Sequence, residues 1–456
     1  MNFRKDGINI ILIIYVGLRI IHYFADSQAL GIFSAALLVI VTVLSLPRMP
    51  RLTMIVLGTL LAAGASLMFA AGATASQWLA ASLQNGNMVM LLICVPFISA
   101  PFYYEDYQSE LKTFAQARMR NMLSFLLFVT LCSHVLAVVI SIGAMMVIYN
   151  LMKPFARLYG AHEPLLRTIM RGYASSGFWS PAWASVIVYT AIPGVEWVRI
   201  IPIGIAFTIL FCAMNLGSVY AEKKMHPGRY NDIKAVQGAV INKNMLITML
   251  LLALSMIALI IVLNTATGWD LMLTVTIVSL LFPLAVALIQ SHLKEFKIEA
   301  LDFYDNSLMK VRDQAALFTL AGFFGKALDI AGFGALLTGL LPEWLKASPA
   351  LMVFAILLLM ILVACIGVHP AASGTAIVTA LSPAALGLSS YTFCLTILFG
   401  WLMAIMMAPF SAVALLLSAA TGRNTFSLSI FMNWKFCAVC LVVFSLLISL
   451  VGPVLG

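Results

Sequence analysis

Hydrophobic positions in this chain gather into long unbroken blocks, and polar positions fill only short gaps between them. The blocks lie at about 8–23, 30–46, 53–72, 87–103, 122–150, 198–220, 245–264, 271–291, 315–340, 349–366, 391–418 and 432–454. A bilayer-spanning helix needs about 20 mostly apolar residues. The pattern therefore predicts an all-α polytopic membrane protein with about 11–12 transmembrane helices. No long linker or low-complexity stretch intervenes, so residues 1–456 are expected to form a single transmembrane domain.

Two stretches break the apolar pattern at membrane depth. The first is Ser175-Ser176-Gly177-Phe178-Trp179-Ser180-Pro181, followed by 182–194. The second is Gly367-Val368-His369-Pro370-Ala371-Ala372-Ser373-Gly374-Thr375, followed by 376–383. Gly, Pro, Ser and Thr at that depth predict re-entrant or broken helices, because non-helical backbone is tolerated there only inside protein or against a cavity. The two stretches also match. With Ser180-Pro181 laid on His369-Pro370, 189 residues apart, Ala182 meets Ala371, Thr190 meets Thr379 and Ala191 meets Ala380. The same offset lays 82–102 on 271–291. Two structural repeats are expected, 82–264 and 271–454, with the helices of 1–75 outside them. If 349–366 is a full crossing, five crossings separate the interruptions and the repeats are inverted; that is the expectation. If it is one arm of a hairpin, simple inversion fails. Paired interruptions of this kind point to a transporter's midplane site; chance likeness between small residues is the plain alternative.

Composition narrows the function. Of 456 residues 63% are hydrophobic and 9% charged, against roughly 25% charged in a soluble domain. This excludes a soluble enzyme, a nucleic-acid binder and a disordered chain. The net charge of +9 comes from loops: Arg48 and Arg51; Lys112, Arg118 and Arg120; Lys223, Lys224, Arg229, Lys234 and Lys243; Lys294, Lys297, Lys310 and Arg312. With a cytoplasmic N-terminus all four loops fall inside, as expected of an inner-membrane protein. Lys153, Arg157, Arg167 and Arg171 then fall outside, unless that amphipathic stretch dips into the protein. The first block, after Arg4 and Lys5, is expected to be a retained helix. Segments 293–313 and 105–120 are expected to lie on the membrane surface. All seven Cys lie in apolar stretches, which is no disulfide framework; Cys437 and Cys440 are expected as small hydrophobes on one helix face. No HxxH or HxxxH spacing and no P-loop occur, so no metal, cofactor or ATP drive is expected.

The polar residues of the interrupted stretches are the first candidates for chemistry. Ser175, Ser176, Gly177 and Ser180, with His369, Ser373, Gly374 and Thr375, offer neutral donors and exposed amides near helix N-termini, which suit an anion; the alternative is that they cap helix ends. His369 can change charge near neutral pH and is a candidate for a coupled proton, or else a neutral loop-end His. His134 is expected to be structural. Lys326 and Asp329 share a helix face and are candidates for ion coupling, with Asp329 read as the acidic residue deepest in a span; a structural pair is the alternative.

These breaks, the repeat and the run Leu317-Phe318-Thr319-Leu320-Ala321-Gly322-Phe323-Phe324-Gly325 together resemble the ion transporter superfamily. It includes divalent anion/sodium symporters, citrate carriers, arsenite permeases and some sodium/proton antiporters. In its divalent-anion branch each half carries a re-entrant hairpin with a Ser-Asn-Thr tip, followed by a broken helix. Here Ser373-Gly374-Thr375 looks like that tip with Gly in place of Asn, and the first half offers only Ser175-Ser176-Gly177 nearby. The resemblance implies broken helices at Asn215-Leu216-Gly217-Ser218 and Ala408-Pro409-Phe410-Ser411, which adds Asn215, Gly217, Ser218 and Ser411 to the ion-coupling candidates. It also implies a possible homodimer. Taken together, the expectation is a secondary transporter of a small anionic organic solute by alternating access. His369 and the missing Asn residues favour protons over sodium. Alternatives are a lipid or polyprenyl-phosphate flippase, whose basic stretch 153–171 binds membrane lipid headgroups, and an intramembrane hydrolase using Ser373 with His369.

Overall fold

The computed structural model describes residues 3–455 apart from 50, 120, 141–142, 191, 193, 227 and 232–240. Arg120, Ala191 and Lys234, invoked above, lie outside the described residues. Among those residues the chain is helical without strands. Three N-terminal helices, α1 (Phe3–Ala25), α2 (Gln28–Ser45) and α3 (Arg51–Ala70), precede the short α4 (Ala75–Leu83) and α5 (Gly86–Cys94). A 3-10 run over Val95–Tyr103 continues α5, because Pro96 and Pro101 each lack an amide hydrogen for a regular ladder. The surface helix α6 (Tyr107–Arg118) leads to α7 (Met122–Ile140), α8 (Gly143–Leu158) and α9 (His162–Ser175). Then come the short α10 (Ala184–Tyr189) and three long helices, α11 (Trp197–Met225), α12 (Lys243–Thr267) and α13 (Leu271–Ile289). The second half contains α14 (Leu293–Asp302), α15 (Leu308–Ile330), α16 (Phe333–Leu340), α17 (Glu343–Lys346), α18 (Pro349–Cys365), α19 (Pro370–Ala380), α20 (Ser390–Met407), α21 (Ala412–Thr421) and α22 (Met432–Leu455). Among the described residues eight helical stretches are long and apolar enough to cross a membrane, with shorter apolar helices at Met54–Ala70, Met122–Val138 and Pro349–Cys365. Together with the composition, this is an all-α polytopic membrane protein.

Several expected boundaries move. The block 122–150 is two helices. Phe125 stacks on Tyr159 at 5.2 Å and the Tyr159 hydroxyl donates to the Met119 carbonyl at 3.5 Å, so α8 folds back along α7. Both arms are apolar, so apolarity alone does not mark the reversal. The fold-back returns Lys153 and Arg157 to the face of the other basic loops and removes the charge misfit. The block 315–340 starts earlier, at Leu308, and stops at Gly332, whose φ of +69° suits glycine.

The second interruption is a hairpin. Met360 packs at Gly400 and the Cys365 thiol lies 3.7 Å from the Met407 carbonyl, so α18 runs with α20. His369 packs at Trp401 and Gly374 at Ile397, so α19 runs against α20. α18 and α19 thus form a helical hairpin against α20, the arrangement of 349–366 under which simple inversion would fail. The pair 82–102 and 271–291 agrees with this. Asn87 lines a cleft with Asp270 and Leu271, while the Tyr104 hydroxyl donates to the Pro283 carbonyl at 3.0 Å. The two stretches run the same way. The centre of the molecule is α20, buried from Tyr391 to Met407.

Candidate functional site

The first interrupted segment is built against α11. From the basic-loop face inward, Arg167 pairs with Glu222, Arg171 donates to Asn215 and Ser218 at 3.1 Å each, and the Thr208 hydroxyl donates to the Ser175 carbonyl at 2.9 Å. Beyond the break, the Trp197 indole donates to the Trp179 carbonyl at 2.9 Å. The carbonyls freed by the interruption thus find side-chain donors, as backbone buried away from water requires. Two glycines allow the close approach. A Cβ at Gly177 would run into Leu402, and one at Gly204 would meet the Phe178 carbonyl oxygen at 2.7 Å. Phe178, at the break, is held among Phe207, Phe211, Phe399 and Phe444 with ring centroids 5.5–6.1 Å away.

The serines of this segment serve its own turn. The Ser175 hydroxyl donates to the Gly172 carbonyl at 2.7 Å and lies 2.9 Å from His134 Nδ1. The Ser176 hydroxyl donates to the Tyr173 carbonyl at 2.8 Å and accepts from the Trp183 indole at 2.7 Å. The Ser180 hydroxyl accepts from the Ala182 amide at 3.2 Å. All three residues are fully buried.

In the second segment His369 caps α19. Its Nδ1 accepts from the Ala371 amide at 3.1 Å, which fixes the ring, and Phe318 and Trp401 flank it at 6.3 and 5.9 Å. The Ser373 hydroxyl donates to the Pro370 carbonyl at 3.2 Å. Ser373 and His369 are therefore each engaged with backbone and not with one another. Gly374 is where the two segments touch: a Cβ there would run into the Tyr189 hydroxyl. Thr375 follows, buried, its hydroxyl beside that of Tyr189. Neither makes a hydrogen bond of ordinary geometry, and the Trp401 indole N–H, whose ring packs 5.8 Å from Tyr189, is likewise unpaired. The described contact between the segments runs through Tyr189 and Gly374, residues of which the sequence reading singled out only the second.

The ion-coupling candidates scatter. The helix break expected at Asn215–Ser218 is absent: α11 is continuous, and Gly217 faces open space. Asn215 and Ser218 are polar because they receive Arg171, not because the helix breaks. The break at Ala408–Ser411 is present, with the Ser411 hydroxyl capping α21 through the Ala414 amide at 3.2 Å. Lys326 and Asp329 pair at 2.7 Å, but their side chains are 31% and 45% exposed. Asp329 is not deep in a span: the early start of α15 puts the pair in its last turns.

Arg171 is the residue that sequence reasoning undervalued. It is 3% exposed. Its guanidinium donates to Asn433, Asn215, Ser218 and the Met432 carbonyl and lies 4.0 Å over the Phe436 ring. No carboxylate lies within ion-pair distance of it among the described residues. Asn433 in turn donates to the Leu428 and Ser429 carbonyls of a π-helical turn, Ser427–Phe431. One turn nearer the basic-loop face lies a network of ion pairs. Glu222 takes Arg167 and Arg229, and Glu163 takes Arg229 and Arg423. Burial, and the Glu222 carboxylate to which it donates at 2.7 Å, push the Tyr230 phenol up to about 12. A signal for this was present: Glu163, Arg167 and Arg171 stand four apart on one helix face. On the opposite face a cleft of about 620 Å³ lies against α10, lined by Ile187, Thr190, Glu196, Asn264 and Asp270 among others.

No protein-family model matches this chain, and no curated protein matches it. Among solved structures the chain is similar to the crystal structure of the Alcanivorax borkumensis YdaH transporter, described as having an unusual topology, at 12% identity and a TM-score of 0.47 over 81% of this chain and 86% of that one.

Proposed function

We propose that the protein is a secondary transporter that carries a small anionic organic solute across the cytoplasmic membrane by alternating access, with protons as the coupling ion. The observation that carries this reading is the meeting of two interrupted segments inside the bundle, at Tyr189 and Gly374. A purely structural helix bundle has no need of two backbone interruptions packed on one another, whereas a carrier places its site where broken helices meet. The two faces differ in a way that fits alternating access: ion pairs join α9, α11 and the loop after α21 on one face, and a cleft reaches α10 from the other. His369, between aromatic rings at the start of α19, is the candidate proton carrier; its free lone pair is on Nδ1, so taking up a proton means releasing the Ala371 amide that Nδ1 now accepts from.

The test is uptake into proteoliposomes of labelled carboxylates, with and without an imposed pH gradient and with sodium varied separately. Gradient-driven uptake of one solute, lost in Gly374→Ala because the new methyl lands on the Tyr189 hydroxyl, is the expected result. Uptake driven by sodium alone would remove the proton assignment. Uptake unchanged in a well-folded Gly374→Ala would remove the site.

A further inference from the structure

Resting on that reading of the site, we infer that the solute is recognised by a set of uncharged donors, Tyr189 Oη, Thr375 Oγ1 and Trp401 Nε1, and that the group they take is a carboxylate. Tyr189 is fully buried, Thr375 3% exposed and Trp401 5% exposed, yet none of the three polar atoms makes a hydrogen bond of ordinary geometry, the two hydroxyls having only one another close by. Buried polar groups in proteins are paired with few exceptions, and an unpaired one costs stability. Here three lie together. Tyr189 sits on α10, Thr375 on α19 and Trp401 on α20, so the cluster spans both interrupted segments and the central helix. Tyr189 touches Gly374, its ring packs on that of Trp401, and the Thr375 hydroxyl stands beside the Tyr189 hydroxyl.

The rest of the neighbourhood is apolar: Phe318 stacks on Trp401 at 6.1 Å and Ile397 packs at Gly374. The His369 Nδ1 lone pair is already taken by the Ala371 amide. An indole N–H only donates, and a hydroxyl donates readily when no other donor competes. A ligand group that brings acceptors and no donors satisfies all three. A deprotonated carboxylate is such a group, with two oxygens and room for about four hydrogen bonds. A cationic or amine-bearing solute would bring donors against donors. No charged side chain belongs to the cluster; discrimination would come from donor count and from the penalty of leaving the three groups unpaired with a solute that lacks acceptors.

The test uses the full-length protein in detergent, with succinate, acetate, inorganic phosphate and betaine amide as probes, read by thermal unfolding and by Kd from titration. The variants are Tyr189→Phe and Thr375→Val, each deleting one hydroxyl at nearly constant shape. Thr396→Val is the control, because its hydroxyl is already bonded to the Thr392 carbonyl. A group that makes no hydrogen bond of ordinary geometry within the protein can be deleted at little cost. Tyr189→Phe and Thr375→Val are therefore expected to melt at or above the wild-type temperature without ligand. A carboxylate raises the wild-type melting temperature by mass action, and each of these two variants weakens that carboxylate at least ten-fold while Thr396→Val does not. Unliganded variants that melt well below wild type would show that the hydroxyls are paired structurally, and would overturn the inference. So would a carboxylate shift that survives both deletions, or a shift with betaine amide alone. Proteoliposome uptake of the same probes separates the two readings: binding that behaves as expected without uptake removes transport and keeps the donor site, and uptake indifferent to both variants does the reverse.

Discussion

Arg171 stands inside the protein with a permanent charge and only neutral partners. Its arrangement makes a sharp expectation, because hydrogen bonds to charged groups contribute about 1.5–3 kcal/mol each. Asn433→Leu removes the acceptor of the guanidinium Nε and also frees the Leu428 and Ser429 carbonyls. A loss of about 2–3 kcal/mol is expected, read as a lower melting temperature in detergent. Arg171→Lys is expected to cost as much, since an ammonium cannot reach both amides at once in the guanidinium's planar geometry. At this scale the sequence was half legible. Pro and Gly flag His369, Ser373, Gly374 and Thr375, and the structure places these on the second interrupted segment. Nothing flags Tyr189 or Trp401, since an aromatic residue in an apolar block looks like core until the bonding of its polar atom is seen.

Helices of this protein are decided by what glycine allows beside them. Gly204 and Gly217 lie in the same helix, α11, and are expected to respond oppositely to Ala. At Gly204 the methyl would meet backbone of the interrupted segment at 2.7 Å, and about 1–3 kcal/mol of overpacking is expected. At Gly217 nothing lies within 4 Å, and Ala is expected to gain about 0.5–1 kcal/mol of helix stability. Melting temperatures of the two variants, measured side by side, check this; destabilisation by both would mean that α11 is broken at 215–218 after all. The apolar blocks made most long helices readable, because only uninterrupted apolar runs satisfy lipid. The α7–α8 reversal and the hairpin character of α18–α19 were not readable, because turning back inside protein changes no residue's polarity. The early start of α15 escaped for the opposite reason: its first turns carry Lys310, Arg312 and Asp313 and look like loop.

For the whole molecule, the ion pairs around Glu222 and Glu163 join α9, α11 and the loop carrying Arg423. If that face opens during transport, these pairs are what must part. Glu222→Gln is then expected to raise the labelling of Cys212 by a charged, membrane-impermeant thiol reagent applied to inside-out vesicles. Cys212 lies 3.6 Å from the Ser175 hydroxyl, inward of the network. Labelling unchanged from wild type, scored by intact mass, would exclude the network as a closure.

The burial of Arg171 also has a bearing on how the chain is made. Its Asn215 and Ser218 acceptors follow it by fewer than 50 residues, but Asn433 lies 262 residues downstream. At roughly 5–20 residues per second of synthesis, on the order of 13–50 s pass between the emergence of the arginine and that of its last side-chain acceptor. An arginine at the centre of a membrane helix costs about 2.5–3.5 kcal/mol or more, and until Asn433 is made Arg171 has only part of its set of acceptors. α9 is therefore expected to settle fully only after α22 has been made, when Asn433 completes the set of acceptors that Asn215 and Ser218 begin. A nascent chain halted before Met432 is expected to leave α9 digestible by protease from the ribosome side, and the completed chain is expected to protect it.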